Sequence, residues 1–195
     1  DDPARLDKQR VWIVDPIDGT RAYLAGRNDW SISAALVEEG RPKLAAVFAP
    51  ASEEFFFAGA GEGASLNDAV IEAAPGTDFD IERMAGPHFL INRVRGTTSP
   101  ELRTFKIGSL ALRISRVAQG ALDVAFVGGN SRDWDLAAAD LLLREAGGRL
   151  TTLRGEALIY NRAEVTHEVL LAAGTERHAR LVEHLAQHAA TTPSQ

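Results

Sequence analysis

The stretch 135–146 constrains the fold more than any other part of the chain. Leu136, Ala137, Ala138, Ala139, Leu141, Leu142 and Leu143 leave it almost no polar face. As a helix it must be nearly buried on all sides. Gly147-Gly148 ends it. Short apolar runs of strand length lie before and after it. The run Val11-Trp12-Ile13-Val14 is apolar at every position and reads as a fully buried strand. Runs at 31–37, 44–48 and 54–58 are separated by Glu39-Gly40-Arg41-Pro42 and Pro50-Ala51-Ser52, and read as an antiparallel meander. Gly59-Ala60-Gly61-Glu62-Gly63 reads as a hairpin, because a dinucleotide-binding loop needs a helix after it in a βαβ frame.

Further along, 73–80 is loop, Met84 starts a strand and 88–94 forms a short helix. A better helix spans 108–119, with Leu110, Ile114 and Val117 on one stripe and Gly120 as its stop. Strands are expected at 122–127, 149–153, 157–159 and 169–172. A last helix covers 176–190, with Leu181, Leu185 and Ala189 aligned, and 191–195 is a flexible tail. The class is mixed, a layered α+β arrangement within the α/β group, forming one domain over 1–195.

The charge balance narrows the functions. The net charge of −6 argues against a nucleic-acid polymer or a membrane surface as partner. No apolar run approaches the ~18 residues of a membrane span. The absence of cysteine excludes a disulfide scaffold and a thiolate zinc site, and fits a cytoplasmic protein. The chain opens Asp1-Asp2-Pro3-Ala4-Arg5 without Met and enters a strand at Val11, so it reads as N-terminally incomplete.

Asp15-Pro16-Ile17-Asp18-Gly19-Thr20 is an acidic, turn-rich hexapeptide at a strand end. Two carboxylates brought together repel unless a cation lies between them. Oxygen donors alone suit a hard ion such as Mg²⁺. Pro16 restricts the backbone and helps aim the Ile17 carbonyl at the same point. Gly19-Thr20 offers backbone N–H groups at a helical turn, which suits a phosphate. The plain alternative is an Asp-rich turn with Asp18 as a helix cap. The spacing does not match the Asp-x-Asp pair of haloacid-dehalogenase-type phosphatases, because two residues separate these carboxylates.

A second acidic cluster, Asn130-Ser131-Arg132-Asp133-Trp134-Asp135, precedes the apolar helix. Asp135 falls in its first turn, where it is either a cap or a third convergent carboxylate. Trp134 is expected to pack so as to fix the Asp135 rotamer. His184 and His188, one turn apart on the last helix, read as a solvated face. His88, His167 and His178 show no partner.

Val14-Asp15-Pro16-Ile17-Asp18-Gly19-Thr20, followed by Trp134-Asp135-Leu136-Ala137-Ala138-Ala139-Asp140 and Glu145-Ala146-Gly147-Gly148, resembles the inositol monophosphatase superfamily. The likeness runs over most of the chain. It implies an α-β-α-β-α sandwich lacking its first helices here, and a Mg²⁺-dependent, Li⁺-inhibited phosphatase of small-molecule phosphate esters with two or three ions per site. It further implies Asp15, Asp18, Asp135 and the Ile17 carbonyl as metal ligands, and Gly19 and Thr20 as the phosphate site. Asp15 and Thr20 would share the catalytic work, Thr20 by orienting the attacking water. Gly108 and Ser109 resemble the family's substrate-side loop.

Two positions depart from the inositol-specific pattern. Gly128 stands where an acidic residue would contact the sugar ring, seven positions before Asp135. Arg21 follows Thr20, as in the bisphosphate-nucleotidase branch. The resemblance therefore favours a 3′(2′),5′-bisphosphate nucleotide, with inositol 1-phosphate as the alternative. A metal- or phosphate-binding protein without turnover is the reading from another class. Family members also carry a metal-binding Glu upstream of the first motif, so the 195 residues alone are expected to be nearly inactive and poorly soluble. The oligomeric state stays open, a homodimer included.

Overall fold

The apolar alternation of the first seventy residues builds one antiparallel sheet. A computed structural model describes residues 2–95 and 105–189. The strands are β1 (Arg10–Asp18), β2 (Ser31–Glu38), β3 (Arg41–Ala49), β4 (Glu54–Gly59), β5 (Gly63–Leu66) and β6 (Ala69–Val70), paired in that order. A five-residue helix, α1 (Thr20–Leu24), lies between β1 and β2. The glycine-rich hairpin joins β4 to β5, and the Glu145 carboxylate accepts from the N–H groups of Gly61 and Gly63 there.

After a connecting loop come β7 (Met84–Ala85), α2 (His88–Arg95), α3 (Leu110–Ala118), β8 (Val124–Val127) and β9 (Ser131–Arg132). They are followed by α4 (Asp133–Glu145), β10 (Gly148–Thr152), β11 (Thr166–His167), β12 (Leu170–Gly174) and α5 (Thr175–Ala189). The second sheet has the order β10-β12-β8-β7, with β7 parallel to β8 and the other pairs antiparallel. A short ladder pairs β9 with β11.

The two sheets sandwich α3 and α4. On β8 and β12 the period of two separates the faces cleanly. Ala125, Val127, Leu170 and Ala172 join the core around α3 and α4. Val124, Phe126, Leu171 and Ala173 face α2 and α5, with Leu90, Ile91, Leu181 and Leu185. The layers are thus sheet, helices, sheet, helices, in the layered mixed class expected. Because α4 lies between two sheets, its seven alanines and leucines from Leu136 to Leu143 are all buried, and only Trp134 in the first turn is partly open.

Some expectations are corrected. β1 is half-buried, not fully buried: Val11 and Ile13 pack on the core, whereas Trp12 is 63% and Val14 51% exposed. The reason is that an antiparallel sheet has two faces, and only one of this sheet is covered here. The expected strand at 157–159 is a single bridge, Thr151 to Ala157. Its backbone bonds go elsewhere, Leu158 O accepting from Arg41 and Tyr160 N donating to Gly40 O. His184, expected in solvent, lies where α5 meets α2 and bonds the Val94 carbonyl. His88, His167 and His178, read as partnerless, all have partners, and the latter two are buried against Asp133 and Thr151 respectively. The His188 side chain and the tail at 191–195 lie outside the described residues.

The uncovered face of the first sheet is apolar along its rows. Ile32, Phe48 and Phe55 are cross-strand neighbours, as are Ala34, Ala46 and Phe57. Phe48 meets Phe55 edge-on and Phe55 stacks beside Phe57.

Candidate metal and phosphate site

Asp15 and Asp18 are three residues apart, and in a regular strand their side chains would face opposite ways. β1 avoids this with a bulge. Asp15 pairs with Ser33 and Asp18 with Ser31, so one extra residue is inserted at Pro16-Ile17. The extra residue resets the alternation and turns both carboxylates to the inner side. Pro16, which has no N–H to offer a ladder, sits where no ladder bond is needed. The Asp15 carboxylate accepts from Ile17 N at 2.9 Å, which ties the bulge from within.

Gly19 then takes a left-handed conformation, φ 86°, and caps α1. A Cβ on Gly19 would lie 2.8 Å from Ser109 N, so the turn rests directly on the 108–109 backbone. Thr20 Oγ1 donates to the Ile17 carbonyl at 3.0 Å. Asp18 is not the cap of α1. It serves the start of α3, accepting from Ala111 N at 2.7 Å and from Ser109 Oγ at 2.5 Å.

Asp135 arrives from the other side of the core. It is the third residue of α4 and its carboxylate accepts from Arg132 N at 2.8 Å, the acidic half of a capping box. That bond sets its rotamer. Trp134 instead carries the Arg132 guanidinium over its ring, at 5.1 Å. The helix start is clamped by Asp133, which bonds His167 Nε2 at 2.7 Å and Asn161 N at 2.8 Å.

Asp15, Asp18 and Asp135 therefore converge, with one oxygen from each within 4.8 Å of the others. Burial, the largest cause, pushes all three carboxyls upward, Asp18 to about 6. The Asp135 charge adds to the rise at Asp18, and that of Asp15 to the rise at Asp135. Such mutual repulsion is relieved by a cation, and an all-oxygen donor set suits a hard divalent ion.

Gly108 and Ser109 divide. Gly108 is exposed, its N–H bonded to the Asp29 carboxylate at 2.5 Å, while Ser109 has no solvent exposure and lies behind Asp18. Of the two residues of the loop that the sequence placed on the substrate side, only Gly108 is open to solvent. Arg21 is exposed. Gly128 is half-buried, and a Cβ there would meet only Pro87 within 4 Å. Asp29, Ser31, Asp133 and His167 also hold the site, and sequence reading missed them. Asp133 stood inside a motif already singled out; the other three carry no local signal.

The profile of the Inositol monophosphatase family matches residues 2–190. The chain belongs to the inositol monophosphatase family. Its curated relatives include Nus factor SuhB of Xylella fastidiosa, 36% identical over 154 residues, which are 74% of this chain and 56% of that protein. Another is the histidinol-phosphatase of Mycobacterium tuberculosis, 37% identical over 162 residues, 76% of this chain and 61% of that protein. The solved inositol monophosphatase of Thermotoga maritima superposes with a TM-score of 0.76 at 28% identity, covering 94% of this chain and 71% of that one. The chain spans about three fifths of the length of these curated relatives. Inositol monophosphatase family proteins are metal-dependent, and the three-carboxylate cluster is the part of this member chemically fitted to hold an ion. Among the described residues no helix is long and apolar enough to cross a membrane.

Proposed function

We propose that this chain carries the core of a Mg²⁺-dependent phosphomonoesterase that prefers a bisphosphorylated nucleotide. The observation that carries the reading is the convergence of Asp15, Asp18 and Asp135 at the end of the bulge that leads into Gly19-Thr20. Bound there, divalent ions neutralise phosphate oxygens and lower the pKa of water. The three carboxylates, with the Ile17 carbonyl, hold the ions. Gly19 and Thr20 cradle the phosphate through backbone N–H groups. Because the Thr20 hydroxyl gives its proton to Ile17 O, its lone pairs remain to accept from, and so orient, an attacking water.

The substrate preference rests on two side chains. Arg21 is exposed and makes no ion pair among the described residues, which supports a role toward a second phosphate. Gly128 offers no carboxylate for a sugar ring. The relatives carry varied names, among them histidinol-phosphatase and the inositol-1-monophosphatase of Bacillus subtilis. Inositol 1-phosphate is therefore the comparison substrate.

The test measures phosphate release by the full-length protein with and without Mg²⁺. Activity should require Mg²⁺ and be abolished by Asp15→Asn or Asp135→Asn. Unimpaired turnover by both variants at saturating Mg²⁺ would refute the assignment, and no turnover on any phosphate ester would favour a binding protein. The 3′,5′-bisphosphate nucleotide should exceed inositol 1-phosphate in kcat/KM by about 100-fold, or about 2.7 kcal/mol of transition-state binding. Arg21→Ala should shrink that ratio.

A further inference from the structure

Two buried hydroxyls behind the site are spent on one carboxylate. Ser31 and Ser109 both have no solvent exposure. Ser31 opens β2 and is the cross-strand partner of Asp18 at the bulge. Ser109 caps α3, its Oγ accepting from Leu112 N at 2.9 Å. The two hydroxyl oxygens are 2.8 Å apart, and Ser109 Oγ is 2.5 Å from Asp18 Oδ2.

Counting protons gives this chain a direction. A hydroxyl has one hydrogen and two lone pairs, and an ionised carboxylate only accepts. The one hydrogen of Ser109 therefore goes to Asp18. Its lone pairs take Leu112 N–H and the Ser31 hydroxyl, so Ser31 is the donor in the serine pair. Every valence of Ser109 Oγ is used, and the relay runs from Ser31 through Ser109 to Asp18. Its outer end belongs to the first sheet, its middle to α3, and its inner end to the bulge. A chain of donors pointing one way polarises each member and strengthens the last bond.

We propose that Ser31 and Ser109 are positioning residues that hold Asp18 in the orientation required for a divalent ion. This rests on the reading of Asp18 as a metal ligand. Outer partners of ligands typically set metal affinity by ~10–100-fold. Ser109→Ala should weaken Mg²⁺ by about that factor, and Ser31→Ala, one bond further back, by roughly 3–10-fold.

The experiment titrates Mg²⁺ into the full-length protein by calorimetry without substrate, for wild type, Ser31→Ala, Ser109→Ala, Asp18→Asn and Ser115→Ala. Ser115 is the control: equally buried, on α3, but donating to the Ala111 carbonyl. Ser31→Ala should weaken Mg²⁺ binding while Ser115→Ala leaves it within about twofold of wild type. Raising Mg²⁺ should restore kcat in Ser31→Ala with substrate KM unchanged. If Ser109→Ala does not fold, the contrast between Ser31→Ala and Ser115→Ala decides. Unchanged Mg²⁺ affinity in Ser31→Ala, or an equal loss in Ser115→Ala, overturns the relay while Asp18→Asn still loses the ion. If Asp18→Asn also binds Mg²⁺ normally, the ligand reading of Asp18 falls as well.

Discussion

Gly19 illustrates how closely single residues are fitted around the carboxylates. Its φ of 86° lies in the left-handed region, and a Cβ would press on the Ser109 backbone at 2.8 Å. Gly19→Ala should therefore cost about 1–3 kcal/mol, from the strained conformation and the displaced loop. Urea unfolding of variant and wild type measures it; an unchanged midpoint would show that the turn relaxes freely. Mg²⁺ affinity should fall in the same variant, because the 108–109 segment pushed by the new methyl also presents the Ser109 hydroxyl to Asp18. The contact between Gly19 and Ser109 was not legible beforehand. Both motifs were visible in the sequence, but nothing in either spelled out that one rests on the other. Asp15, Asp18 and Asp135 were legible because like charges at a strand end and a helix start demand a chemical reason. Ser31 was not, since a serine opening a strand is unremarkable until its neighbours are known.

At the level of elements, α4 was the most legible part of the fold. Its composition excluded a solvent face, and two sheets supply the burial it needs. β1 was misjudged for the converse reason: four consecutive apolar residues look alike whether a covering layer is present or not. The bulge was hidden because register belongs to a pair of strands. α4 also carries a titrating group on its buried length. Asp140 accepts from the Tyr160 hydroxyl at 2.9 Å, and loss of water raises its pKa to about 6 despite that bond and the nearby Arg144, Arg41 and His167. An unfolded Asp titrates near the ordinary 3.8, so the folded chain binds the extra proton between these values. The stabilisation tied to that proton is present in full below the lower value and is lost as pH rises through about 6. Asp140→Asn keeps an acceptor for Tyr160 and cannot ionise. Its stability relative to wild type should rise between pH 5 and pH 8 by roughly 1–2 kcal/mol, about half of the full linkage effect. Paired urea titrations at the two values check this, and a difference independent of pH would place Asp140 in the ordinary carboxylate range.

For the whole molecule, the dominant feature is the bare side of the first sheet. Trp12, Val14, Ile32, Phe48, Phe55 and Phe57 all lie in the open there. A contiguous apolar surface of this kind favours association. The 195-residue chain on its own should self-associate with rising concentration. Light scattering after size exclusion should show Phe55→Ser with Phe57→Ser shifting the population toward monomer. A strictly monomeric wild-type chain would mean that the aromatic rows shield one another. The convergence of the acidic cluster has a different reach. Asp15 and Asp135 stand about 120 residues apart in the sequence, one on a sheet and one on the helix beneath it. An ion shared between them would close a long loop in a chain that has no cysteine to do so covalently. It would act as a reversible cross-link whose grip scales with free Mg²⁺. The melting temperature should then climb with the logarithm of Mg²⁺ concentration, and Asp135→Asn should flatten that slope. Through such a clasp, the supply of a common cellular cation becomes a setting for how long the folded chain survives.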